Sequence, residues 1–380
     1  MCYDELDYII CKSSVKKGLF LMEKINLGFL FGGASSEYEV SLMSASSALA
    51  YLNLEKYNLF QIGITQDGRW LLYRGGTDAI RQNTWQDGDC LPCLLSPDRS
   101  HHGILVWNTP DQAPELIRLD CVFPMLHGKN GEDGTIQGLL TVAGIPFVGC
   151  GTLSSAACMD KVVTRTLLES AGVRGARWVW TNETDYQADP DAFFGRAEKA
   201  FGYPCFVKPA NAGSSVGISK VKSREEFPAA MALALKNDSK ILVEESLFGR
   251  EIECAVLGNE HPRASCLGEI LPSNEFYDYN AKYLDGKSRT LAPAPISPES
   301  TEEIRQTAVQ AYRVMGCTGL ARVDFFLGED GRVFLNELNT LPGFTQISMY
   351  PQLFEKDGLP YSKLIDELIA CAMQVERGRA

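Results

Sequence analysis

At 380 residues the chain has room for two or three domains and a large buried core. Its net charge of −12 offers no basic surplus to displace counterions, which argues against a nucleic-acid partner. No apolar run approaches the length of a membrane span, and the 12 cysteines lack framework spacing, so they read as reduced thiols of a cytoplasmic protein.

The opening differs from the rest. Lys16-Lys17-Gly18 must be encoded by AAR-AAR-GGN, a purine tract resembling a ribosome-binding site, with Met22 at suitable spacing. Residues 1–21 are therefore expected to be a non-native or disordered leader, and intact mass of the native protein tests this. From Ile25 to Phe31 a buried strand is expected, ended by Gly32-Gly33, with Ser36–Glu39 as a capping box opening a helix to about Leu52. This strand–glycine–helix unit opens a doubly wound α/β domain. Tyr57–Ile64 is the next strand. Residues 66–118 read as irregular, with short strands such as Trp70–Tyr73 and Ile104–Trp107, and with a lone Cys90-Leu-Pro-Cys93 that could serve redox or zinc chemistry or neither. Leu119–Leu126 is a core strand leading into a glycine loop. A helix runs from Thr135 to Ala143, a strand from Ile145 to Val148, and Gly149-Cys-Gly151 marks a boundary.

Beyond Ser154 the alternation resumes with features of a nucleotide site. Asp160-Lys161 opens a helix, and Lys208-Pro209 ends a strand before the small-residue loop Gly213-Ser214-Ser215-Val-Gly217. Walker A spacing is absent, but amides of such a loop cradle phosphate oxygens, with Lys161 and Lys208 as point charges; the bland alternative is an ordinary turn. The run Glu244-Glu245-Ser-Leu247 leaves a strand with backbone groups suited to an adenine edge, and Glu251 suits ribose hydroxyls, unless this is an exposed acidic turn. Glu37 at a helix N-terminus could bind an ammonium, and His127 sits where α/β sheets bind ligands, or is a structural hydrogen-bonder. Tyr277 to Tyr283, with Lys282, lies in a long loop of the kind that forms lids. A helix is expected over Glu302–Met315.

Arg322 to Asn339 reads as two apolar strands joined at Asp330-Gly331, the dipeptide of a type I′ turn. Folding there places Asp324 opposite Glu337, with Asn339 one diagonal step away. Facing carboxylates repel, and a divalent cation between them removes the penalty; three hard oxygens suit Mg²⁺, unless this is a surface hairpin with unrelated acids. The Gly/Pro-broken segment Thr340–Met349 is placed to line the site.

Together and in this order, these segments resemble the D-alanine–D-alanine ligase family of ATP-grasp enzymes, from about Ile25 to Leu368. The matching motifs are Gly32-Gly33-x-Ser35-Ser-Glu37-x-Glu39-Val-Ser41, His127-Gly128-x-x-Gly131-Glu132-Asp133-Gly134-Thr135, Met159-Asp-Lys161, Lys208-Pro209 with Gly213–Gly217, Tyr277-Asp-Tyr279 with Lys282-Tyr283, Arg322-x-Asp324, and Asn336-Glu337-x-Asn339-Thr340 with Pro342-Gly343. Ser35–Glu39 and Leu126–Asp133 are similar to the vancomycin-resistance D-Ala–D-Ser branch. The resemblance implies an α/β fold with α+β lobes: a Rossmann-like N-terminal domain (22–150), a central ATP-grasp lobe (151–247) and a C-terminal lobe (248–380) carrying the metal site and lid. It implies ATP on Lys161, Lys208, Gly213 and Ser215, with Glu244, Glu245 and Leu247 on adenine and Glu251 on ribose. Two Mg²⁺ ions, for which Mn²⁺ can substitute, fall to Asp324, Glu337 and Asn339.

It further implies D-alanine substrates, with Glu37, Ser214 and Tyr283 around the first ammonium and His127 near the first carboxylate. Arg322 and the Gly343 N–H fall on the oxyanion, and Lys282, Ser348 and Met349 on the substrates. A homodimer, a cytoplasmic location and a part in peptidoglycan precursor synthesis are also implied. Tyr283 separates the chain from the D-lactate branch. Resistance-type D-Ala–D-Ser ligases tend to carry Arg at the position of Met349, so D-alanine is expected as the second substrate and D-serine as the alternative. Another ATP-grasp carboxylate–amine ligase, and a nucleotide-binding regulator without catalysis, are the competing readings.

Overall fold

A computed structural model of the chain describes residues 24–213, 215–271 and 289–377. Residues 1–21, Ser214, Tyr277, Lys282 and Tyr283, all subjects of expectations above, lie outside them.

The first sheet begins with β1 (Ile25–Gly32), followed by α1 (Tyr38–Ala50) and β2 (Tyr57–Ile64). Next come β3 (Trp70–Tyr73), α2 (Thr77–Arg81), β4 (Cys90–Leu95), β5 (Gly103–Val106), β6 (Glu115–Arg118) and β7 (Cys121–Pro124). Its order is β6-β5-β4-β3-β2-β1-β7. Only β2-β1-β7 are parallel, and residues 66–118 form an antiparallel meander extending that edge rather than an irregular insertion. Its Asp, Gly, Pro and Trp residues disguise the strand alternation. The two faces of β1 sort by parity as a doubly wound sheet requires. Leu27, Phe29 and Phe31 pack with α1, whereas Leu30 packs with α3 (Thr135–Ala143), which Gly144 closes at φ +71°. The expected strand at Ile145–Val148 reduces to one parallel bridge, Phe147 to Val122.

The Ser36–Glu39 capping box does not form. Glu37 holds the cap position of α1, and its own N–H is taken by Ser35 Oγ at 3.1 Å. The Cys90-Leu-Pro-Cys93 pair lies along β4, with burial pushing both thiols up, so neither is a reactive thiolate. All ten cysteines among the described residues are free thiols.

The middle of the chain contributes α4 (Thr152–Met159), α5 (Lys161–Ser170), β8 (Trp178–Asn182), α6 (Glu183–Ala188), α7 (Pro190–Ala200), β9 (Cys205–Pro209), β10 (Ser219–Val221), α8 (Phe227–Leu235) and β11 (Lys240–Glu245). Its antiparallel sheet, β10-β9-β11-β8, is covered by α7 and α8 through Phe193, Phe194, Phe227 and Met231.

The third sheet, β14-β13-β12-β15-β16, is antiparallel throughout. Its strands are β12 (Arg250–Leu257), β13 (Arg263–Leu271), β14 (Arg289–Leu291), β15 (Leu320–Leu327) and β16 (Val333–Asn339). One face packs on α9 (Pro298–Val314), which starts earlier than expected because Pro298 takes the first helical position and Ser297 caps it. The other face packs on α10 (Met349–Lys356). The last helix, α11 (Tyr361–Arg377), returns to the first sheet: Leu364, Ile365 and Leu368 share one core with Leu27, Phe29 and α1. Asp366 on α11 also takes Tyr57 Oη–H at 2.9 Å and Lys56 Nζ at 2.7 Å. Among the described residues, no helix is long and apolar enough to cross a membrane.

Candidate active site

A cavity of about 950 Å³ opens where β9 and β11 face the third sheet, closed at one end by α1. The described candidates all line it: Glu37, His127, Lys161, Lys208, Gly213, Ser215, Glu244, Glu245, Leu247, Glu251, Arg322, Asp324, Glu337, Asn339, Gly343, Ser348 and Met349. The candidates Ser214, Lys282 and Tyr283 fall outside the described residues.

The hairpin positions the acidic wall. Its turn is not type I′, because that type needs positive φ at both central residues and only Gly331 has it, at +78°. Gly331 N–H instead reaches Gly328 C=O at 3.0 Å, and Gly328 N–H reaches Arg332 C=O at 2.9 Å, a turn closed by a glycine bulge. That turn sets Leu327 opposite Val333 and Phe325 opposite Leu335, one residue out of the expected register. A second bulge, at Asn336 opposite the Asp324/Phe325 step, restores it, so Asp324 does pair with Glu337 and Arg322 with Asn339. The bulge also swaps the strand's faces. Val333 and Leu335 point to the α9 core, as does Leu338; with unbroken alternation from Leu335, Glu337 and Asn339 would point there too.

A protein cation already offsets the facing carboxylates. Arg322 grips Asp324 with two bonds (Nε to Oδ1 2.7 Å, Nη2 to Oδ2 2.8 Å) and lies 3.2 Å from Glu253. Burial works against the Arg322 charge, but Asp324 and Glu253 outweigh it and keep the guanidinium ionised. Asn339 Nδ2 donates to Asp324 Oδ2 at 2.9 Å, which turns the Asn339 amide oxygen away from that bond. The donors of Asp324, Glu337 and Asn339 are hard oxygens on one cavity wall, so the residues fit a Mg²⁺ ion.

The opposite wall is cationic. Lys161 starts α5, which Asp160 caps through the Val162 and Val163 amides, and its Nζ donates to Ala212 C=O at 2.6 Å, holding the loop that carries Gly213. Lys208 Nζ contacts Glu244 Oε1 at 2.5 Å, and Arg165 Nη2 contacts Glu244 Oε2 at 2.8 Å. Burial alone would raise the Glu244 pKa, yet Lys208 and Arg165 outweigh it and hold it down to about 2. The Glu244 side chain thus fixes Lys208, and Glu245 and Leu247 after it also line the cavity. Glu245 binds Arg177 at 2.6 Å. Arg165 drew no expectation, although its spacing of four from Lys161 places both on one helix face.

Around α1, His127 is buried and uncharged. Its Nδ1 meets Leu341 C=O at 3.1 Å and its Nε2 meets Ser44 Oγ at 3.0 Å, so Nδ1 carries the proton. Burial lowers its pKa to about 4. Glu132, which the sequence reading passed over inside a matched motif, also lines the cavity, accepting the Gly128 N–H at 2.7 Å. Ser348 holds the position before α10, but its Oγ takes the Thr345 N–H at 3.0 Å rather than capping the helix. Met349 is buried over β13, its Cε filling the space a side chain at Gly268 would need.

Models of the D-ala D-ala ligase N-terminus and C-terminus match residues 26–150 and 167–370. The D-alanine–D-alanine ligase of Caldicellulosiruptor bescii is 48% identical, over 94% of this chain and 97% of its own. That of Thermoanaerobacter pseudethanolicus is 49% identical, over 93% and 98%. Among solved structures, the VanG D-Ala:D-Ser ligase from Enterococcus faecalis superposes with a TM-score of 0.84 at 41% identity, covering 92% of this chain and all of that one. The D-alanine–D-alanine ligase from Coxiella burnetii superposes with a TM-score of 0.81 at 34% identity, covering 94% and 96%. Motif order, three sheets around one charged cavity, and near-complete alignment at this identity agree: the chain belongs to the D-alanine–D-alanine ligase family and has its ATP-grasp fold.

Proposed function

We propose that the protein is an ATP-dependent ligase that joins two D-alanines into D-alanyl-D-alanine through D-alanyl phosphate, for peptidoglycan precursor synthesis. The observation that carries this is one cavity facing cationic Lys161 and Lys208 against Asp324, Glu337 and Asn339, with Glu37 buried at its end.

Lys161, Lys208 and the amides of Gly213 and Ser215 bind the phosphates. Backbone groups from Glu244 to Leu247 hold the adenine, and Glu251 holds the ribose. Asp324, Glu337 and Asn339 hold two Mg²⁺ (or Mn²⁺) ions, which when bound neutralise phosphate charge. Positioning and electrostatics dominate such a transfer. Glu37 fixes the first ammonium and so aims that amino acid's carboxylate at the γ-phosphate, with Ser214 and Tyr283 completing its partners. His127, being neutral, orients the Leu341 segment near that carboxylate rather than donating a proton. Arg322 and the Gly343 N–H stabilise the oxyanion formed when the second amine attacks. Ser348 and Met349 bound the second subsite, and Lys282 contributes to substrate binding. We further place the protein in the cytoplasm as a homodimer, with lobes at 22–150, 151–247 and 248–380.

ADP release with ATP and Mg²⁺ would be followed for D-Ala alone, D-Ala plus D-Ser, and D-Ala plus D-lactate, with products weighed by mass. D-Ala–D-Ala as the main dipeptide is expected. Predominant D-Ala–D-Ser would move the chain to the D-serine branch, and absence of D-Ala-dependent turnover would overturn the reading.

A further inference from the structure

Gly128 brings two acids together. Glu132 accepts its N–H at 2.7 Å, while a side chain begun at Gly128 would lie 2.5 Å from Glu37 Oε2. The Leu341 N–H also binds Glu132, two residues before Gly343. The charged groups acting on Glu132 are Glu37, from the start of α1, and Arg322, from β15. Glu132 thus lies near both the first ammonium's holder and the segment leading to Gly343, in the cavity that Ser348 also lines. It has no role in the scheme above.

Resting on the ligase reading, we infer that Glu132 is the proton acceptor for the second amino acid. Its carboxylate takes one proton from that –NH₃⁺, and the freed –NH₂ attacks the acyl carbon. The bond from that carbon to the phosphate oxygen breaks, inorganic phosphate leaves with the bonding pair, and the amide nitrogen gives its second proton to that phosphate. Glu132 returns its proton to solvent.

Burial and the Glu37 charge hold the Glu132 pKa well above the usual carboxylate range, toward that of an effective general base near neutrality. An ammonium on Glu37 cancels part of the charge that keeps Glu132 protonated. The first substrate therefore readies the acceptor for the second.

The test compares wild type, Glu132→Gln and Glu132→Asp with ATP, Mg²⁺ and D-Ala, with and without hydroxylamine. Hydroxylamine is neutral at working pH and needs no base to capture the acyl phosphate as a hydroxamate. Glu132→Gln should keep hydroxamate formation within a few-fold but lose dipeptide formation by roughly 10²–10³-fold. The residual rate should climb with pH as free amine accumulates, and Glu132→Asp should recover part of the loss. Dipeptide formation within a few-fold of wild type overturns the inference, as does equal loss of hydroxamate and dipeptide, which marks a positioning role. Wild type making neither hydroxamate nor dipeptide would overturn the ligase reading, and this inference with it.

Discussion

Glu244 shows how a buried charge is made tolerable and useful at once. It is 4% exposed and shared by two cations, so removing either leaves a carboxylate under-compensated. Arg165→Leu should lower stability by about 3–5 kcal/mol in urea unfolding and raise the KM for ATP by loosening Lys208. Unchanged values for both would deny the triad its role. His127, buried neutral rather than charged, has the same sign of linkage as Glu244. Its folded pKa is lowered to about 4, so the unfolded chain binds the proton more tightly. The contribution is fully present above the unfolded value of about 6.5 and is lost as pH falls toward 4. Between these limits His127→Gln should flatten the stability–pH slope by up to roughly 1.4 kcal/mol per pH unit, measured by urea unfolding at each pH. At Met349, Arg would have to leave the Gly268 contact and turn its guanidinium into the cavity. Met349→Arg should then raise the D-Ser to D-Ala product ratio several-fold, by supplying a partner for the serine hydroxyl. An unchanged ratio removes Met349 from the specificity account.

At the scale of elements, the β15–β16 hairpin places the acids proposed to hold metal by two compensating irregularities. The glycine turn moves the register by one residue and the Asn336 bulge moves it back. Deleting Asn336 should rotate Glu337 and Asn339 toward the α9 core, where an unpaired carboxylate costs several kcal/mol. The expected result is a strongly destabilised protein without ADP release, read by calorimetry and the coupled assay. Retained turnover would mean that the bulge does not aim those groups. The Asp324–Glu337 pairing was legible in the sequence through a simpler turn than the chain uses. Two offsets of one residue cancelled, which strand periodicity alone cannot reveal.

At the scale of the whole molecule, the C-terminal helix is part of the N-terminal core. Leu368 is fully buried among residues of β1 and α1, more than 300 positions away in sequence. Leu368→Ala should cost about 2–5 kcal/mol and accelerate amide exchange in β1 along with α11. Destabilisation confined to α11 would show that the two ends unfold separately. This return of the chain closes the α1 end of the cavity: α10 and α11 carry the Phe344–Tyr361 segment against Phe123, and Ser44 Oγ meets the Phe344 N–H at 3.4 Å.

Local chemistry determined much by itself. Periodicity placed β1, β2, β3 and α3, and Gly144 closed its helix where expected, because those signals depend only on neighbours in sequence. Residue type and motif order brought the candidate side chains to one wall-lined cavity and the chain to its family. Only the tertiary structure decided the rest: that Arg322 already compensates Asp324, that Glu244 is tied to Arg165 and Lys208, that His127 is neutral, and that Glu132 feels the charge of Glu37. Each of these is set by burial and by charges distant in the chain, and the energy of a charge depends on what surrounds it in space.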